Sequence, residues 1–375
     1  MTFQLPPYPY DRLSLLGKLA EAMPGGIVDC SIGTPCDPPL PAVVAALSGS
    51  GSERGYPASA GSLELREAAA GWLERRFELP TVAATAVAAC VGTKELVASV
   101  PQVLRLRQPE RDTVLFPAVS YPTYAMGAAL AGCRAVPVAS RPGELGGLDL
   151  DSIADSDAAR ALVLWSNSPS NPTGDLGDLP GDAAWGRSHD VPVFSDECYA
   201  EFTWDGPPRS ILQSGTSGVV AVHSLSKRSN LAGVRVGFFA GDPEIVEFLR
   251  AVRQHAGLMV PGPAQAAGVV ALADDAHVEV QRARYHERLV FLAGVLSKHG
   301  CPVELPAGGF YLWVPVPADR WVDAWAMAEE LARRGGLLVS PGDLYGEGGA
   351  GFVRVAVVQP MERLALVADR LAADR

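Results

Sequence analysis

The sequence predicts an α/β fold: a large domain built on a mostly parallel sheet with helices on both faces, followed by a smaller α+β domain. Three observations carry this prediction. Short apolar runs alternate with helical segments from about residue 86 to about residue 241, and strands that are apolar throughout belong in a sheet covered on both sides. After about residue 270 the texture changes to long polar helices with short strands between them. The unusual polar residues also gather just after the apolar runs, where ligands sit in open parallel sheets.

Residues 1–40, rich in Pro and Gly, read as an arm that packs with the small domain. The large domain is expected over 41–270 and the small one over 271–375. A flexible SGSGSERG stretch leads to LELREAAAGWLERRF, whose Leu63, Leu65, Ala69, Trp72, Leu73 and Phe77 suit one apolar helix face. AVAACVG reads as a strand, KELVASVPQVLRL as a helix kinked or divided at Pro101, and DTVLFP as a strand. Further strands are RAVPV, ALVLWS, VPVFSDE, GVVAVHS and VRVGFFAG, the last of which Arg235 begins. Between them, DLGDLPGDAAWGRSHD carries Pro180 and Gly181, so its helix looks short and broken. In the small domain a long helix over DDAHVEVQRARYHERLVFLAGVLSKHG precedes strands at PVELP and FYLWVPV. A helix at WVDAWAMAEELARRG, strands GLLVSP and GFVRVAVV and a final helix complete it.

Composition narrows the function classes. With 48% hydrophobic and 19% charged residues the chain is ordinary globular protein. A net charge of −11 argues against a nucleic-acid or anionic-membrane surface. The six cysteines form no CxxC pair and read as reduced thiols. The six histidines include no HxxxH or HxH pair, so no metal site is expected. MTFQLPPYPYDRL lacks the pattern of a signal peptide, and no apolar run is long enough for a membrane span, so the expected location is cytoplasmic. Residues 346–351, GEGGAG, satisfy a dinucleotide fingerprint but precede a strand where a helix is required, and read as a turn.

The stretch HSLSKRSNLAGVRVG is more telling. Lysine occurs only at positions 18, 94, 227 and 298, in a chain rich in arginine. A lysine kept in that background supplies what arginine cannot, an amine that gives up its proton. Ser224, Ser226 and Arg235 around Lys227 can hold a dianionic phosphate. A lysine beside a phosphate ester suggests pyridoxal phosphate, whose aldehyde condenses with a neutral amine. Asp196, ending an apolar strand, suits a protonated ring nitrogen, with a helix N-cap as the equal alternative. Asn171 and Tyr199 can donate to the ring's phenolic oxygen, and GTKEL offers backbone N–H groups to an anion. Tyr121 is the candidate to stack on the ring, with Tyr124 as its competitor.

The motifs SLSKRSNLAGVRVG, SPSNPTG, SDECYAEF and RGYPASAGSLELREA, in this combination, resemble the class I/II aminotransferases of pyridoxal-phosphate fold type I. The likeness runs from SIGTPCDPP to GFVRVAVV and is greatest to the actinobacterial succinyldiaminopimelate aminotransferases. It implies a seven-stranded, mostly parallel sheet in the large, cofactor-binding domain. Lys227 would be the lysine joined to the cofactor aldehyde, Asp196 the ring-nitrogen partner, and Asn171 and Tyr199 the phenolic-oxygen contacts. Thr93, Lys94 by its backbone, Ser224, Ser226 and Arg235 would surround the phosphate. Tyr56 would reach the phosphate held by a neighbouring subunit, which implies a homodimer with shared sites. Arg354 would clamp the substrate α-carboxylate, with the Gly33 backbone and Asn171 beside it. The implied reaction exchanges an amino group between small amino and 2-oxo acids, N-succinyl-LL-2,6-diaminopimelate with 2-oxoglutarate. Rivals on the same fold are a paralogue acting on another amino acid and a lyase, racemase or oxidase. A DNA-linked ligand sensor lacks the basic helix-turn-helix it would need before residue 40.

Overall fold

A computed structural model of the chain describes residues 6–49, 51, 55–141 and 147–373. The first five residues of the expected arm, most of the tip of SGSGSERG, and the last two residues of the chain lie outside them. A 3-10 turn over Pro9–Leu13 leads into α1 (Ser14–Glu21), then β1 (Val28–Asp29), α2 (Pro41–Ser48) and α3 (Leu63–Phe77). The large sheet begins with β2 (Val87–Cys90). Then come α4 (Thr93–Arg107), β3 (Thr113–Pro117), α5 (Thr123–Leu130), β4 (Arg134–Val138), α6 (Asp155–Ala158), β5 (Ala161–Asn167) and α7 (Leu179–Ser188). β6 (Val193–Asp196), β7 (Val219–Ser224), the single turn α8 (Leu225–Arg228) and β8 (Gly237–Gly241) complete it. α9 (Pro243–His255) and α10 (Gly262–Ala273) follow, the latter continuing through the expected division at 270/271.

The seven strands are ordered β2-β8-β7-β6-β5-β3-β4, parallel except where β8 pairs with β2 and β7. Their side chains feed two cores. In β7, Val219 and Ala221 face the core under α2, α3, α7 and α10, while Val220 and Val222 face that under α4, α5 and α9. Every residue of β2, β3, β5, β6, β7 and β8 is buried. That is why these strands read as unbroken apolar runs.

The small domain contains α11 (Ala276–Lys298), β9 (Tyr311–Pro315), α12 (Ala324–Gly335), β10 (Leu337–Leu338), β11 (Ser340–Pro341), β12 (Phe352–Ala356) and α13 (Met361–Ala373). β12 lies between β11 and β9, antiparallel to both, and β1 pairs in parallel with β10. Leu13, Leu16, Ala20 and Val28 of the N-terminal segment share this domain's core. No helix among the described residues is long and apolar enough to cross a membrane.

Four local expectations change. α4 is one helix through Pro101. The Val97 carbonyl that Pro101 cannot bond lies against Gly127 of α5, where a Cβ would come within 3.0 Å of it. Pro180 and Gly181 open α7 rather than break it, because Asp178 caps the helix by accepting the Gly181 N–H at 3.1 Å. PVELP forms no strand, its two prolines having no N–H to donate to a ladder. Leu63 is 51% exposed, so the buried face of α3 starts at Leu65. GEGGAG contributes a 3-10 turn, Glu347–Gly349, ahead of β12.

The segment after β1 is fastened by Asp37, which receives both Nη1 and Nη2 of Arg288 at 2.7 Å and Gln281 Nε2 at 2.8 Å. Burial alone would raise the Asp37 carboxyl pKa, but the Arg288 and Gln281 hydrogen bonds outweigh it and hold the pKa below the usual value. Its contribution to stability is therefore full above the unfolded carboxylate pKa of about 3.9 and fades as pH falls through the depressed folded value. Asp37→Ala strands a buried guanidinium and should cost about 3 kcal/mol in urea denaturation at pH 7, with the deficit narrowing in acid.

Candidate active site

β2 and β7 run in the same direction because each is antiparallel to β8. The ends of β2, β5, β6 and β7 consequently share one edge of the sheet, and the start of β8 joins them there. In the register, Asn167 faces Asp196, and Gly237 faces both Ser224 and Cys90. A cleft of about 580 Å³ opens over this edge. Gly33, Thr93, Lys94, Tyr121, Asn171, Asp196, Tyr199, Ser224, Ser226, Lys227, Arg235 and Arg354 all line it. Tyr56 does not. It is 96% exposed, on the rim of a separate concavity lined in part by Pro57, Ala58, Val269 and Val270.

Lys227 sits on a turn fixed from both ends. Ser224 Oγ accepts the Ser226 N–H at 3.1 Å, which starts α8 directly at the strand end. The buried Arg228 donates from Nε to Glu201 Oε1 at 3.1 Å and from Nη1 to the Ala271 carbonyl at 2.6 Å. Lys227 Nζ donates to the Gly33 carbonyl. Burial, with Arg354 and Arg235 adding positive charge nearby, brings its pKa down to about 8.

Asp196 is buried without a cation. Its Oδ2 accepts the Tyr124 hydroxyl at 3.0 Å and its Oδ1 the Cys198 N–H at 3.2 Å. Burial raises its pKa, opposed by these hydrogen bonds. The turn-capping alternative is thus half realised, by the Cys198 contact, although the N-cap position of the 3-10 turn that follows is Tyr199, which makes no side-chain cap bond. Tyr124 is fully buried and stacked on Trp165 with ring centroids 5.2 Å apart, so of the two tyrosines only Tyr121 faces the cleft.

The residues expected to hold an anion come together where α4 meets β8. α4 begins at Thr93 with no side-chain cap on its first turn, leaving backbone N–H groups for a ligand. Arg235 precedes β8 rather than beginning it, with φ of 61°, and donates to the Ala232 carbonyl at 2.8 Å. Gly92, at φ 75°, lets it approach, since a Cβ there would stand 2.0 Å from Arg235 Nη2. The Lys94 side chain turns away to the mouth, where Nζ meets the Tyr8 hydroxyl at 3.3 Å.

Arg354, on β12, is 1% exposed. Nη1 donates to Asn171 Oδ1 at 2.7 Å and Nη2 to the Ser31 carbonyl at 2.5 Å, while Nε has no partner. The rings of Tyr311 and Tyr345 lie 4.3 and 4.6 Å from its guanidinium carbon. Asn167, unremarked in the sequence, donates to the Asp196 carbonyl at 2.8 Å and accepts the Asn171 N–H at 2.8 Å. The repeated asparagine in NSPSN was the available signal. Tyr311 and Tyr345 were missed because a tyrosine in an apolar strand or turn looks like core.

The donor set fits pyridoxal phosphate. An amine with a lowered pKa, an unpaired buried carboxylate, and hydroxyls with a helix start and a fixed cation match its aldehyde, ring nitrogen and phosphate. The Arg354 guanidinium, lining the same cleft, offers a fixed cation for a carboxylate.

A family described as "Aminotransferase class I and II" matches residues 26–371. The chain is 44% identical to "Probable aminotransferase Rv1178" of Mycobacterium tuberculosis, over 98% of this chain and 85% of that protein. It is also 44% identical to "4-dedimethylamino-4-oxo-anhydrotetracycline transaminase OxyQ" of Streptomyces rimosus, over 98% and 99%. Among solved structures, a probable N-succinyldiaminopimelate aminotransferase from Thermus thermophilus superposes with a TM-score of 0.85 at 30% identity, covering 98% of this chain and 100% of that one.

The desolvated amine makes a measurable claim. Reductive methylation of Lys227 in cofactor-free protein should reach half its maximal rate near pH 8 and then level off, since only the neutral amine reacts. An ordinary lysine, with pKa about 10.4, would keep gaining well above that. Peptide mapping by mass spectrometry reads it, and a Lys227 rate still climbing steeply at about pH 10 would contradict the enclosure.

Proposed function

The chain belongs to the class I and II aminotransferases, a pyridoxal-phosphate-dependent family, and from that premise we propose how its cleft works and what it accepts. The observation that carries the reading is one cleft holding both the Lys227 amine, its pKa lowered by burial, and the buried Arg354 guanidinium.

When bound, pyridoxal phosphate supplies an aldehyde for an amine to capture and a protonated ring that draws electrons from the adjoining carbon. Lys227 would hold the aldehyde, and its Nζ, when free, would accept a proton from substrate Cα and give it up again, as base and then acid. A pKa of about 8 keeps both protonation states populated near neutrality. Asp196, its oxygens fixed by Tyr124 and the Cys198 N–H, would face the ring nitrogen as its counter-charge. Asn171 and Tyr199 would donate to the phenolic oxygen, and Tyr121 would stack on the ring. Ser224, Ser226, Arg235, Thr93 and the Lys94 backbone would hold the phosphate. Arg354 would grip the α-carboxylate beside Gly33 and Asn171 and so orient the Cα–H bond toward Lys227. Tyr56, too exposed to serve its own cleft, completes the phosphate site of a second subunit in a homodimer.

For the substrate pair we favour N-succinyl-LL-2,6-diaminopimelate with 2-oxoglutarate. Support comes from the sequence motifs and from the likeness to the Thermus structure. The 44% identity to OxyQ favours a second reading, a paralogue serving a secondary-metabolite precursor. Single half-reactions of holoenzyme with succinylated diaminopimelate, aspartate, aromatic amino acids and acetylornithine decide between them. Loss of the cofactor's bound-state absorbance with the succinylated compound supports the first reading, and no response to it removes that reading.

Lys227→Ala should abolish turnover, and borohydride reduction of wild-type holoenzyme should leave the label on Lys227 alone. Arg354→Gln should lower kcat/KM for α-carboxylate donors about a hundredfold, the loss of two charge-assisted hydrogen bonds, while still taking up cofactor.

A further inference from the structure

Tyr311 has so far served only as a surface against Arg354, yet its hydroxyl has a second engagement. It lies 2.7 Å from the hydroxyl of Tyr199, and both side chains are buried. The space it occupies exists because residue 33 is glycine: a Cβ there would stand 2.1 Å from the Tyr311 oxygen. The same Gly33 offers its carbonyl to Lys227. One side chain thus touches three parts of the site: the Arg354 guanidinium by its ring, and Gly33 and Tyr199 by its oxygen.

Counting protons fixes the direction of the contact. A tyrosine hydroxyl has one proton and two acceptor lone pairs. If Tyr199 donates its proton to the cofactor's phenolic oxygen, as proposed above, the short contact to Tyr311 can be filled only by Tyr311 donating to Tyr199. Burial pushes the Tyr311 hydroxyl pKa up, so it keeps the proton that this role requires. A donor that itself accepts a hydrogen bond is polarised and donates more strongly.

We propose that Tyr311 is a positioning residue that, by donating to Tyr199, strengthens the Tyr199 hydrogen bond to the cofactor's phenolic oxygen and so sets the pH at which the lysine-bound cofactor loses its proton. A stronger donor withdraws charge from the phenolic oxygen, which weakens that oxygen's hold on the neighbouring proton and lowers the midpoint. Losing the donor raises it. The inference rests on the reading of Lys227 and Tyr199 as cofactor partners.

The test is a pH titration of the visible absorbance of holoenzyme, which needs no turnover. Tyr311→Phe keeps the ring under Arg354 and removes only the hydroxyl. Its midpoint should rise by about half to one pH unit, the effect of one neutral hydrogen bond on one protonation state. KM for glutamate should stay within about twofold, because the carboxylate clamp keeps its aromatic platform; a disturbed fold would move both quantities. Tyr199→Phe should raise the midpoint at least as far, and adding Tyr311→Phe to it should shift it no further, since the effect passes through Tyr199. An unmoved midpoint in Tyr311→Phe, or a shift that adds in full to that of Tyr199→Phe, overturns the inference. Should Tyr311→Phe not fold, 3-fluorotyrosine at position 311, a more acidic donor, must move the midpoint downward, and no movement overturns it equally. Wild-type protein that takes up no pyridoxal phosphate overturns both this inference and the reading beneath it, whereas holoenzyme with unmoved variants overturns this inference alone.

Discussion

Four buried or half-buried charged groups, Arg354, Asp196, Lys227 and Arg235, share one cleft without an ion pair among them, and much of the structure is arranged around that. Arg354 meets a carbonyl, an amide oxygen and two aromatic faces. Asp196 meets a hydroxyl and a backbone N–H, and Lys227 a backbone carbonyl. Leaving a buried charge without a counter-charge costs several kcal/mol. Neutral hydrogen bonds hold each group in place and offset part of that cost, but they leave its charge for something else to compensate. A ligand carrying a carboxylate, a ring cation and a phosphate supplies the missing counterparts.

Elsewhere the chain treats buried charge in the opposite way. Asp37 with Arg288 and Glu95 with Arg253 are bidentate pairs, and Glu201 sits between Arg228 and Arg76. Their positions serve the open groups. Glu201 with Arg228 anchors the turn that carries Lys227. Asp37 with Arg288 holds the segment whose carbonyls, at Ser31 and Gly33, receive Arg354 and Lys227. Glu95 with Arg253 fixes the first turn of α4, whose Thr93 and Lys94 line the cleft. Paired charges make the frame rigid, and rigidity is what allows the unpaired ones to persist.

The site was legible where chemistry depends on residue type within one loop. Lys227 stood out because lysine is scarce, and Ser224, Ser226 and Arg235 because they surround it at short spacing. The same local reading failed at Pro101 and Pro180, where the deciding partner was the Gly127 face of α5 in one case and the Asp178 cap in the other. It also gave no reason to separate Tyr121 from Tyr124. Tyr121 precedes α5 and lines the cleft, whereas Tyr124, inside α5, donates to Asp196 from beneath.

Unaided, the amino-acid sequence determined the alternation of buried strands and helices, the loops that end on reactive side chains, and the family those motifs resemble. These follow from periodicity and from residue types that only certain chemistry requires. Tertiary structure alone decided that Arg354 of the last strand meets Ser31 of the first segment, that Tyr311 bridges Arg354 and Tyr199, and that Asn167 ties Asn171 to Asp196. The Arg354–Ser31 and Tyr311–Tyr199 contacts each join residues more than 100 positions apart. Strand order and register place them together, and no local pattern in the sequence encodes either.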